Sequence, residues 1–416
     1  MITSERARAL FEGLVGRRSG IVRQIDVVEP FDGDAPLIHA GAQIANTHAR
    51  FHQRHLGLGV GGAGFTREEA IVSALCEGVE RYAASCYHTP SLRLASYAEL
   101  GEDALDPRTF VQYAPSQRRD PAFPLQPLDE RTPLRWVQGT RIPSRTTLWI
   151  PAFAVYMPYV HVDPEPLLGV GLSTGLACAE TLAEAEEKAL YEVLERDAQA
   201  LTWLLGATPP RVSLDSVDPR LLPPRDRIDA FDLTSDLDVP TFLVRCIGEG
   251  PRGQLISIGA ACHADPKRAL RKAALEASQD RVYVRMLIDR DPGWQPAPDF
   301  SNVNDFGLHA RLYSGRPALA RRGLAFLDHA SDAAPAHHGD LTQVCARFEA
   351  IAVDLTPPWA KELGLHVARV VVPDLVPLHG DHTMRVLGHA RLSIDALPHA
   401  RVHHGGPLWP FPHAMP

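Results

Sequence analysis

The chain lacks the features that mark membrane, secreted and nucleic-acid-binding proteins. Its longest apolar runs, such as residues 152–160, are far too short to span a bilayer. Residues 1–20 contain no apolar core of the kind that a signal peptide needs. Acidic residues outnumber basic ones by 50 to 42, and the resulting net charge of −8 gives no sign of a nucleic-acid partner.

Cysteine is also scarce, and its spacing excludes a disulfide scaffold. No C-x-x-C pair occurs in the 416 residues, which is typical of reduced, cytoplasmic thiols. The six cysteines stand at positions 76, 86, 178, 246, 262 and 345. The length and an ordinary apolar content of 45% are sufficient for a large hydrophobic core. We therefore expect a globular cytoplasmic protein.

Strand-like segments alternate with long helical segments, which predicts an α+β fold with mixed α/β layers. We expect strands at 20–28, 240–248, 253–262 and 367–373, and a hairpin within 134–159. We expect long helices at 66–88, 181–204 and 266–289. The third of these has Asp265 as its N-cap and Pro266 in its first turn. A proline-rich tail follows from residue 401.

One pattern occurs twice, in residues 66–83 and 181–198. Laid over each other without a gap, the two segments match at nine of eighteen positions and share T-x-x-E and A-L-x-E-x-x-E-R. In both, a threonine is followed three residues later by a glutamate, which is the signature of a capping box and marks a helix start. The pattern therefore predicts two related helices.

The repeated helices carry carboxylates at spacings of three and four, which place side chains on one helix face. A simple interpretation is a pair of amphipathic helices with the salt bridges Glu77–Arg81 and Glu192–Arg196. Exposed salt bridges contribute only roughly 0–1 kcal/mol, so they give little reason for two helices to share a pattern. A shared Mg²⁺ ion does, because it prefers carboxylates and substrate phosphates. The arginines are then expected to face phosphates.

Glycine-rich segments precede both helices, at 59–65 and 169–180. Backbone N–H groups in such a segment, next to a helix N-terminus, bind anions well. Gly-rich turns before helices are also common without any ligand. No Gly-Lys-Ser/Thr follows, so neither segment is a Walker A loop.

Three ordered motifs carry a family resemblance: S-A-L-x-E-x-x-E-R at 73–81, the S-T-G-L-A to E-R-D stretch at 173–197, and A-L-E-A-S-Q-D-R at 274–281. With these motifs the chain resembles the YcaO superfamily, whose members use ATP to modify peptide backbones, over residues 15–416. The resemblance implies that ATP and Mg²⁺ are held between the repeated helices. It divides the chain into an N-terminal segment of the YcaO domain (1–60), a catalytic core (61–400) and the tail (401–416).

The resemblance also implies site residues. The implied metal ligands are Glu77, Glu80, Glu184, Glu192 and Glu195. The implied nucleotide contacts are Ser73, Arg81, Ser173, Glu180, Arg196, Glu276, Gln279 and Arg281. The last three also fit an ordinary polar helix face.

Two positions depart from the family pattern. The sequence has Gly62-Ala63-Gly64 where Gly-Lys-Gly is common, so another cation is needed if that lysine contacts phosphate. The candidates by sequence are Arg17, Arg18 and Arg23. Glu180 stands where relatives often carry asparagine, which either alters the metal site or is a surface change.

The chain ends P-L-W-P-F-P-H-A-M-P, and azoline-forming members of the family similarly end with alternating prolines. The resemblance implies that this end reaches the active site, with Pro410, Pro412, His413 and Pro416 as catalytic candidates and His413 as a possible proton acceptor. The alternative is an unstructured chain end.

The resemblance implies a cyclodehydratase of the azoline-forming type. A Cys, Ser or Thr side chain of a precursor peptide attacks the preceding backbone carbonyl. The oxygen of the adduct then takes the γ-phosphoryl group of ATP. Departure of phosphate from the adduct gives a thiazoline or oxazoline ring. The alternatives are thioamide or amidine formation with a partner protein, and a non-catalytic ATP- or peptide-binding regulator. No extra leader-binding domain is apparent, so we expect a separate partner with an E1-ligase-like fold, and a homodimer by resemblance.

Overall fold

The structure is a computed structural model that describes residues 4–46, 59–169, 171–329, 337–402 and 408–416. The chain forms two compact units. The first unit contains Met1–Val28, Ile38–Val193 and Cys345–Asp374. The second unit contains Glu29–Leu37, Leu194–Val344 and Leu375–Pro416. The division at 1–60, 61–400 and 401–416 stays a prediction.

Two antiparallel sheets form the first unit. The smaller one has the order β1–β2–β3, with β1 Val22–Val28, β2 Ile38–Ile44 and β3 Gly59–Gly64. The larger one has the order β4–β5–β12–β13–β7, and β6 pairs with β5. Its strands are β4 Arg93–Ala95, β5 Leu134–Ile142, β6 Thr147–Pro151, β7 Leu176–Ala179, β12 Ala350–Asp354 and β13 His366–Val371. The predicted hairpin is the β5–β6 pair.

The second unit contains an antiparallel sheet in the order β11–β10–β9 and a short pair, β14 with β8. Their bounds are β8 Ala207–Thr208, β9 Arg227–Asp232, β10 Thr241–Gly250, β11 Gly253–Cys262 and β14 Arg401–Val402. Strands and helices interleave as expected, so the prediction of an α+β fold with mixed layers is confirmed.

Helices of very different lengths connect the strands. In the described residues they are α1 Ser4–Leu14, α2 Arg67–Ala84, α3 Tyr97–Leu100, α4 Pro115–Arg118, α5 Leu182–Leu205, α6 Pro266–Arg290, α7 Phe306–Arg311, α8 Pro317–Gly323, α9 Ala325–Asp328, α10 Leu341–Arg347 and α11 Pro358–Glu362. None of these combines the length and the apolar character that crossing a membrane requires. The six cysteines are free thiols, as expected, and the cellular location stays a prediction.

The three long helices begin where the sequence places them. The Thr66 hydroxyl accepts a hydrogen bond from the Glu69 N–H at 3.2 Å, and the Glu69 carboxylate accepts one from the Thr66 N–H at 3.3 Å. The Thr181 hydroxyl likewise accepts from the Glu184 N–H at 3.2 Å. The Asp265 carboxylate caps α6, as predicted. The first helix ends at Ala84 rather than at residue 88.

Glycine and alanine let the helices lie very close to the sheets. A Cβ atom on Gly62 of β3 would lie 2.4 Å from the backbone nitrogen of Ala74 in α2. A Cβ atom on Gly259 of β11 would lie 2.1 Å from the backbone nitrogen of Ala277 in α6. Both contacts exclude any residue larger than glycine, so the strand–helix distance in each unit depends on these positions.

The C-terminal tail is part of the core of the second unit. Residues 412–415 are buried, and the Pro412 carbonyl accepts hydrogen bonds from the Trp203 indole at 3.0 Å and the Tyr313 hydroxyl at 2.6 Å. The backbone N–H of Trp409 donates to the Leu204 carbonyl at 2.7 Å. The alternative of an unstructured chain end is therefore wrong for residues 408–416.

Deletion of residues 412–416 should lower the free energy of unfolding by about 2–5 kcal/mol, because it uncovers apolar surface and leaves two buried donors unpaired. Thermal and urea unfolding measure this loss. Deletion of the exposed Pro416 alone is the matched control and should change little. Equal stability of the two truncated chains would contradict a structural role for the tail.

Candidate functional site

The carboxylate of Glu80, on α2, is the electrostatic centre of the candidate site in the first unit. Glu80 is half-buried, and its Oε1 accepts a hydrogen bond from the Cys178 N–H of β7 at 2.7 Å. Burial raises the pKa of Glu80 to about 8, opposed by the charge of Arg81 and reinforced by the charges of Glu77 and Glu192. Carboxylates of the two repeated helices are therefore close enough to repel one another, as the sequence pattern predicts.

Glu77 lies one turn before Glu80, and two groups hold it in place. Its carboxylate accepts a hydrogen bond from the Gly61 N–H of β3 at 2.9 Å and lies 3.3 Å from Nη2 of Arg81. The predicted Glu77–Arg81 salt bridge is thus present. The Arg81 side chain is only 17% exposed, so this pair lies within the carboxylate cluster rather than on an open surface.

Arg369, on β13, was missed by the sequence reasoning. Its guanidinium is buried, and Nη1 donates to the Leu172 carbonyl at 2.8 Å. Its Nε has no hydrogen-bond partner among the residues that the structure describes. Burial lowers the pKa of Arg369 to about 10, with opposing effects of Glu192, which raises it, and Arg81, which lowers it. The available signal was a single arginine inside the apolar strand V-A-R-V-V-V.

The second glycine-rich segment contains strand β7, which pairs with β13 and ends just before α5. The ladder is extended by one hydrogen bond, from the Val370 N–H to the Gly175 carbonyl. The segment also supplies the Leu172 carbonyl that accepts from Arg369. Anion binding at this segment stays a prediction. The first glycine-rich segment is strand β3, and its Gly61 N–H binds Glu77.

Several predicted ligands of the first unit lie at or near the surface. Glu184 is exposed in the first turn of α5, and the side chain of Glu180 is 72% exposed, 3.8 Å from Arg6. Ser73 is exposed and Ser173 is half-buried. Their contacts with metal or nucleotide stay predictions.

Position 63, where the family commonly has lysine, is a buried alanine in this chain. The replacement cations suggested by the sequence, Arg17, Arg18 and Arg23, are all exposed. Arg369 is a buried cation that the sequence reasoning did not consider.

In the second unit, Glu195 is buried and accepts a hydrogen bond from Gln199 at 3.1 Å. The Nε of Arg196 lies 3.6 Å from the Glu195 carboxylate. On α6, Glu276 pairs with Lys272 at 3.2 Å, and Gln279 is half-buried. The contacts of these predicted ligands with metal or nucleotide also stay predictions.

Arg281 makes ion pairs within the second unit. Its Nε donates to Asp34 at 2.8 Å, its Nη1 lies 2.7 Å from Asp226, and its Nη2 donates to the Glu249 carbonyl at 2.9 Å. These contacts hold the guanidinium in place. Its predicted contact with phosphate stays a prediction.

The catalytic candidates of the tail divide into two groups. Pro410 and Pro416 are exposed, whereas Pro412 and His413 are buried. The His413 ring stacks on His309 with centroids 3.8 Å apart, and burial holds the pKa of His413 well below its usual range. A role of His413 as a proton acceptor toward a substrate would require the tail to be displaced.

The cluster in the first unit suits a divalent cation with phosphates. Glu77, Glu80 and Glu192 repel one another, and a bound cation removes that repulsion. Arg81 and Arg369 offer guanidinium N–H groups, which are good phosphate donors. The fit rests on the half-buried carboxylate of Glu80, which lies within the electrostatic influence of both Glu77 and Glu192.

The comparisons with known proteins agree with this arrangement. The family model described as YcaO cyclodehydratase, ATP- and Mg²⁺-binding, matches residues 61–376. The chain spans about half the length of the curated relatives it matches, one from Rhizobium leguminosarum bv. trifolii and one from Methanothermobacter thermautotrophicus. These are 27% and 26% identical over 53% of this chain, and 54% and 56% of the relatives are covered.

Three solved structures have the same fold. A heterocyclase in complex with substrate and cofactor is 21% identical with a TM-score of 0.70, over 91% of this chain and 54% of that one. YcaO from Methanopyrus kandleri, bound with AMPPCP and Mg²⁺, is 19% identical with a TM-score of 0.58, over 90% and 92%. A chain of the E. coli microcin synthetase McbBCD complex is 14% identical with a TM-score of 0.64, and the match covers 96% of this chain and 99% of that one. At these identities the likeness establishes the fold.

Replacement of Glu80 by Gln should stabilise the metal-free protein at pH 9 and leave it unchanged near pH 4. Between about 4.5 and 8 the folded chain binds more protons at Glu80 than the unfolded chain, so stability falls as pH rises through this window. Gln resembles the protonated acid and keeps the bond from Cys178. We expect a gain of roughly 1–4 kcal/mol at pH 9.

Urea unfolding from pH 4 to pH 9 with a chelator present measures this difference. Glu68→Gln, an exposed change on the same helix, is the control and should leave the pH profile as it is. Parallel profiles for wild type and Glu80→Gln would mean that the Glu80 carboxyl ionises normally.

Proposed function

The chain belongs to the YcaO family, and from this premise we propose that it is an ATP- and Mg²⁺-dependent enzyme that modifies the backbone of a peptide. The observation that carries the proposal is the half-buried carboxylate of Glu80, hydrogen-bonded to Cys178, beside Glu77 and Glu192. Surface helices have no need of such a cluster, whereas a magnesium–triphosphate site does. The match of the family model over both repeated helices supports the same conclusion.

We assign Mg²⁺ to Glu77, Glu80 and Glu192, and the phosphates to Arg81 and Arg369. The resemblance adds three residues of α5 to the proposal. Two are further metal ligands, Glu184 and Glu195, and one is a nucleotide contact, Arg196. Arg369 is the proposed replacement for the lysine that the family commonly has at position 63. Arg369 is buried, and the charge of Glu192 raises its pKa. Its Nε has no hydrogen-bond partner within the described part of the chain.

The proposed reaction is cyclodehydration. A Cys, Ser or Thr side chain of a ribosomally made peptide adds to the preceding backbone carbonyl and loses its proton. The new oxyanion receives the γ-phosphoryl group of ATP, ADP departs, and loss of phosphate with the amide proton leaves a thiazoline or oxazoline. Bound Mg-ATP supplies the phosphoryl group, while the arginines and the helix carboxylates position it and offset its charge.

The proline-rich tail is the feature that favours ring formation over the other reaction of the same fold class. Formation of a thioamide or amidine, with a nucleophile delivered by a partner protein, is the second candidate. A non-catalytic regulator that binds ATP or peptide is the third. The clustered carboxylates and arginines count against it, because binding without turnover does not require a metal held against the phosphates.

The proposed partners are the precursor peptide, a separate leader-binding protein with an E1-ligase-like fold, and a second copy of this chain. We further expect a cytoplasmic location, from the free thiols. Incubation with candidate peptide, partner and Mg-ATP, followed by mass spectrometry, tests the function. Loss of water indicates an azoline, exchange of oxygen for sulfur indicates a thioamide, and an unchanged peptide without phosphate release supports the regulator.

Glu77→Gln and Glu195→Gln should each reduce peptide-dependent phosphate release by at least about 100-fold, because each removes a charged metal ligand. Unfolding curves should show an intact fold. Glu68→Gln should keep the wild-type rate. If either variant consumes ATP normally, that residue does not bind the metal.

Arg369→Lys should weaken Mg-ATP binding about tenfold or more, because a lysine cannot present two N–H groups to a phosphate. Titration calorimetry measures the affinity. Arg23→Lys, which changes one of the exposed candidates, is the matched control and should bind normally. If Arg369→Lys binds Mg-ATP normally and Arg23→Lys binds it weakly, then Arg23 rather than Arg369 replaces the lysine.

A further inference from the structure

Four histidines lie together in the interior of the second unit: His309 on α7, His379, His382 and His413 of the tail. Each is at most 6% exposed. One ring nitrogen each of His309, His379 and His413 lies within 4.8 Å of the others. Ring centroids of His382 lie 6.3 Å from His309 and 6.1 Å from His379. Of these four, only His413 was considered from the sequence.

Backbone carbonyls fix the tautomers of two of these rings. The Nδ1 of His309 lies 3.0 Å from the His413 carbonyl, and the Nε2 of His413 lies 2.6 Å from the His379 carbonyl. A carbonyl oxygen only accepts, so both ring nitrogens must donate. Each ring therefore presents a lone pair at its other nitrogen. A metal-binding histidine has the same arrangement, with one N–H held by a carbonyl and the other nitrogen on the ion.

The remaining nitrogens lack adequate partners within the described residues. His309 Nε2, both ring nitrogens of His379 and His382 Nδ1 have no hydrogen-bond partner there. His413 Nδ1 accepts one long bond, 3.2 Å, from the Met415 N–H. Buried polar atoms are almost always satisfied, so several unsatisfied ring nitrogens at one place need an explanation. A cation that accepts their lone pairs provides one.

The surroundings keep the rings neutral, which is the form that binds metals. Burial lowers the pKa of His309 to about 4 and that of His382 to about 3. The charged groups that act on these rings are Asp381 and Arg385. Asp381 favours positive charge at His309, and Arg385 opposes it.

We propose that His309, His379 and His413 form a site for a divalent transition-metal ion, with zinc as the expected occupant. Imidazole nitrogen suits zinc, cobalt, nickel and copper, whereas magnesium prefers oxygen, so this site is chemically distinct from the carboxylate cluster of the first unit. Nitrogens on one tetrahedral zinc ion lie about 3.3 Å apart, whereas the three ring nitrogens lie within 4.8 Å of one another, so the proposed ion draws the rings closer. His382 is the nearest source of a fourth ligand.

The proposed ion joins the tail to the rest of the second unit. His413 is contributed by the tail and His309 by α7, while His379 follows β13 in the chain. An ion bound by all three stabilises the folded chain, since the unfolded chain does not bring them together. The proposal is independent of the reaction, because it concerns binding and stability only.

Cobalt is the probe for the test. The full chain without an affinity tag is stripped with a chelator and titrated with Co²⁺ in excess Mg²⁺, followed by visible absorption. We expect one equivalent of tightly bound Co²⁺ with the spectrum of nitrogen ligation, its displacement by one equivalent of Zn²⁺, and a zinc-dependent rise in Tm. A wild-type chain that binds no such equivalent overturns the proposal.

His379→Gln is the decisive variant, because the His379 ring has no hydrogen bond to lose within the described structure. It should bind Co²⁺ at least about tenfold more weakly and lose the zinc-dependent rise in Tm. His88→Gln, which replaces an exposed histidine, should match wild type. Circular dichroism checks that both variants fold, and His309→Gln repeats the test at a second ligand. Wild-type Co²⁺ affinity in both ligand variants overturns the assignment.

Discussion

The half-buried carboxylate of Glu80 is the constraint on which the first unit is organised. Gly62 lets α2 lie directly against β3, and the Cys178 N–H of β7 holds the carboxylate in place. Glu77 and Glu192 then add negative charge where water is largely excluded, so the pKa of Glu80 rises to about 8. Such an arrangement weakens the metal-free fold, and a divalent cation relieves it. In the proposed function, Mg²⁺ bound with ATP supplies the positive charge that offsets the repulsion between these carboxylates.

Positive charge reaches the same region through the larger sheet. Arg369 on β13 is oriented by the carbonyl of Leu172, in the second glycine-rich segment, and its charge is coupled to Glu192 and Arg81. The helices thus supply the carboxylates, and the sheet supplies a buried guanidinium. A phosphate–magnesium complex needs both signs of charge at fixed positions, because catalysis of phosphoryl transfer depends mainly on positioning and electrostatics.

The second unit uses different donor chemistry. Its buried tail contributes carbonyl acceptors to Trp203, Tyr313 and His309, together with the imidazole of His413. Oxygen donors of the first unit suit hard cations, and nitrogen donors of this cluster suit borderline ones. A proline-rich end that is stiff and well anchored loses little entropy on ordering. The tail is therefore an integral element of the fold.

The sequence by itself determined what depends on near neighbours along the chain: the capping box at Thr66, the N-cap at Thr181, the three long helices and the Glu77–Arg81 pair. Tertiary structure decided the rest, because those contacts join distant segments. Arg281 pairs with Asp34 across 247 positions, and His309 meets the tail across 104. Strand β7, inside the second glycine-rich segment, forms because it pairs with the distant β13. The periodicity of apolar residues in the sequence does not predict such contacts. A helical pattern shows which face of the helix a side chain lies on, but not which distant segment packs against that face.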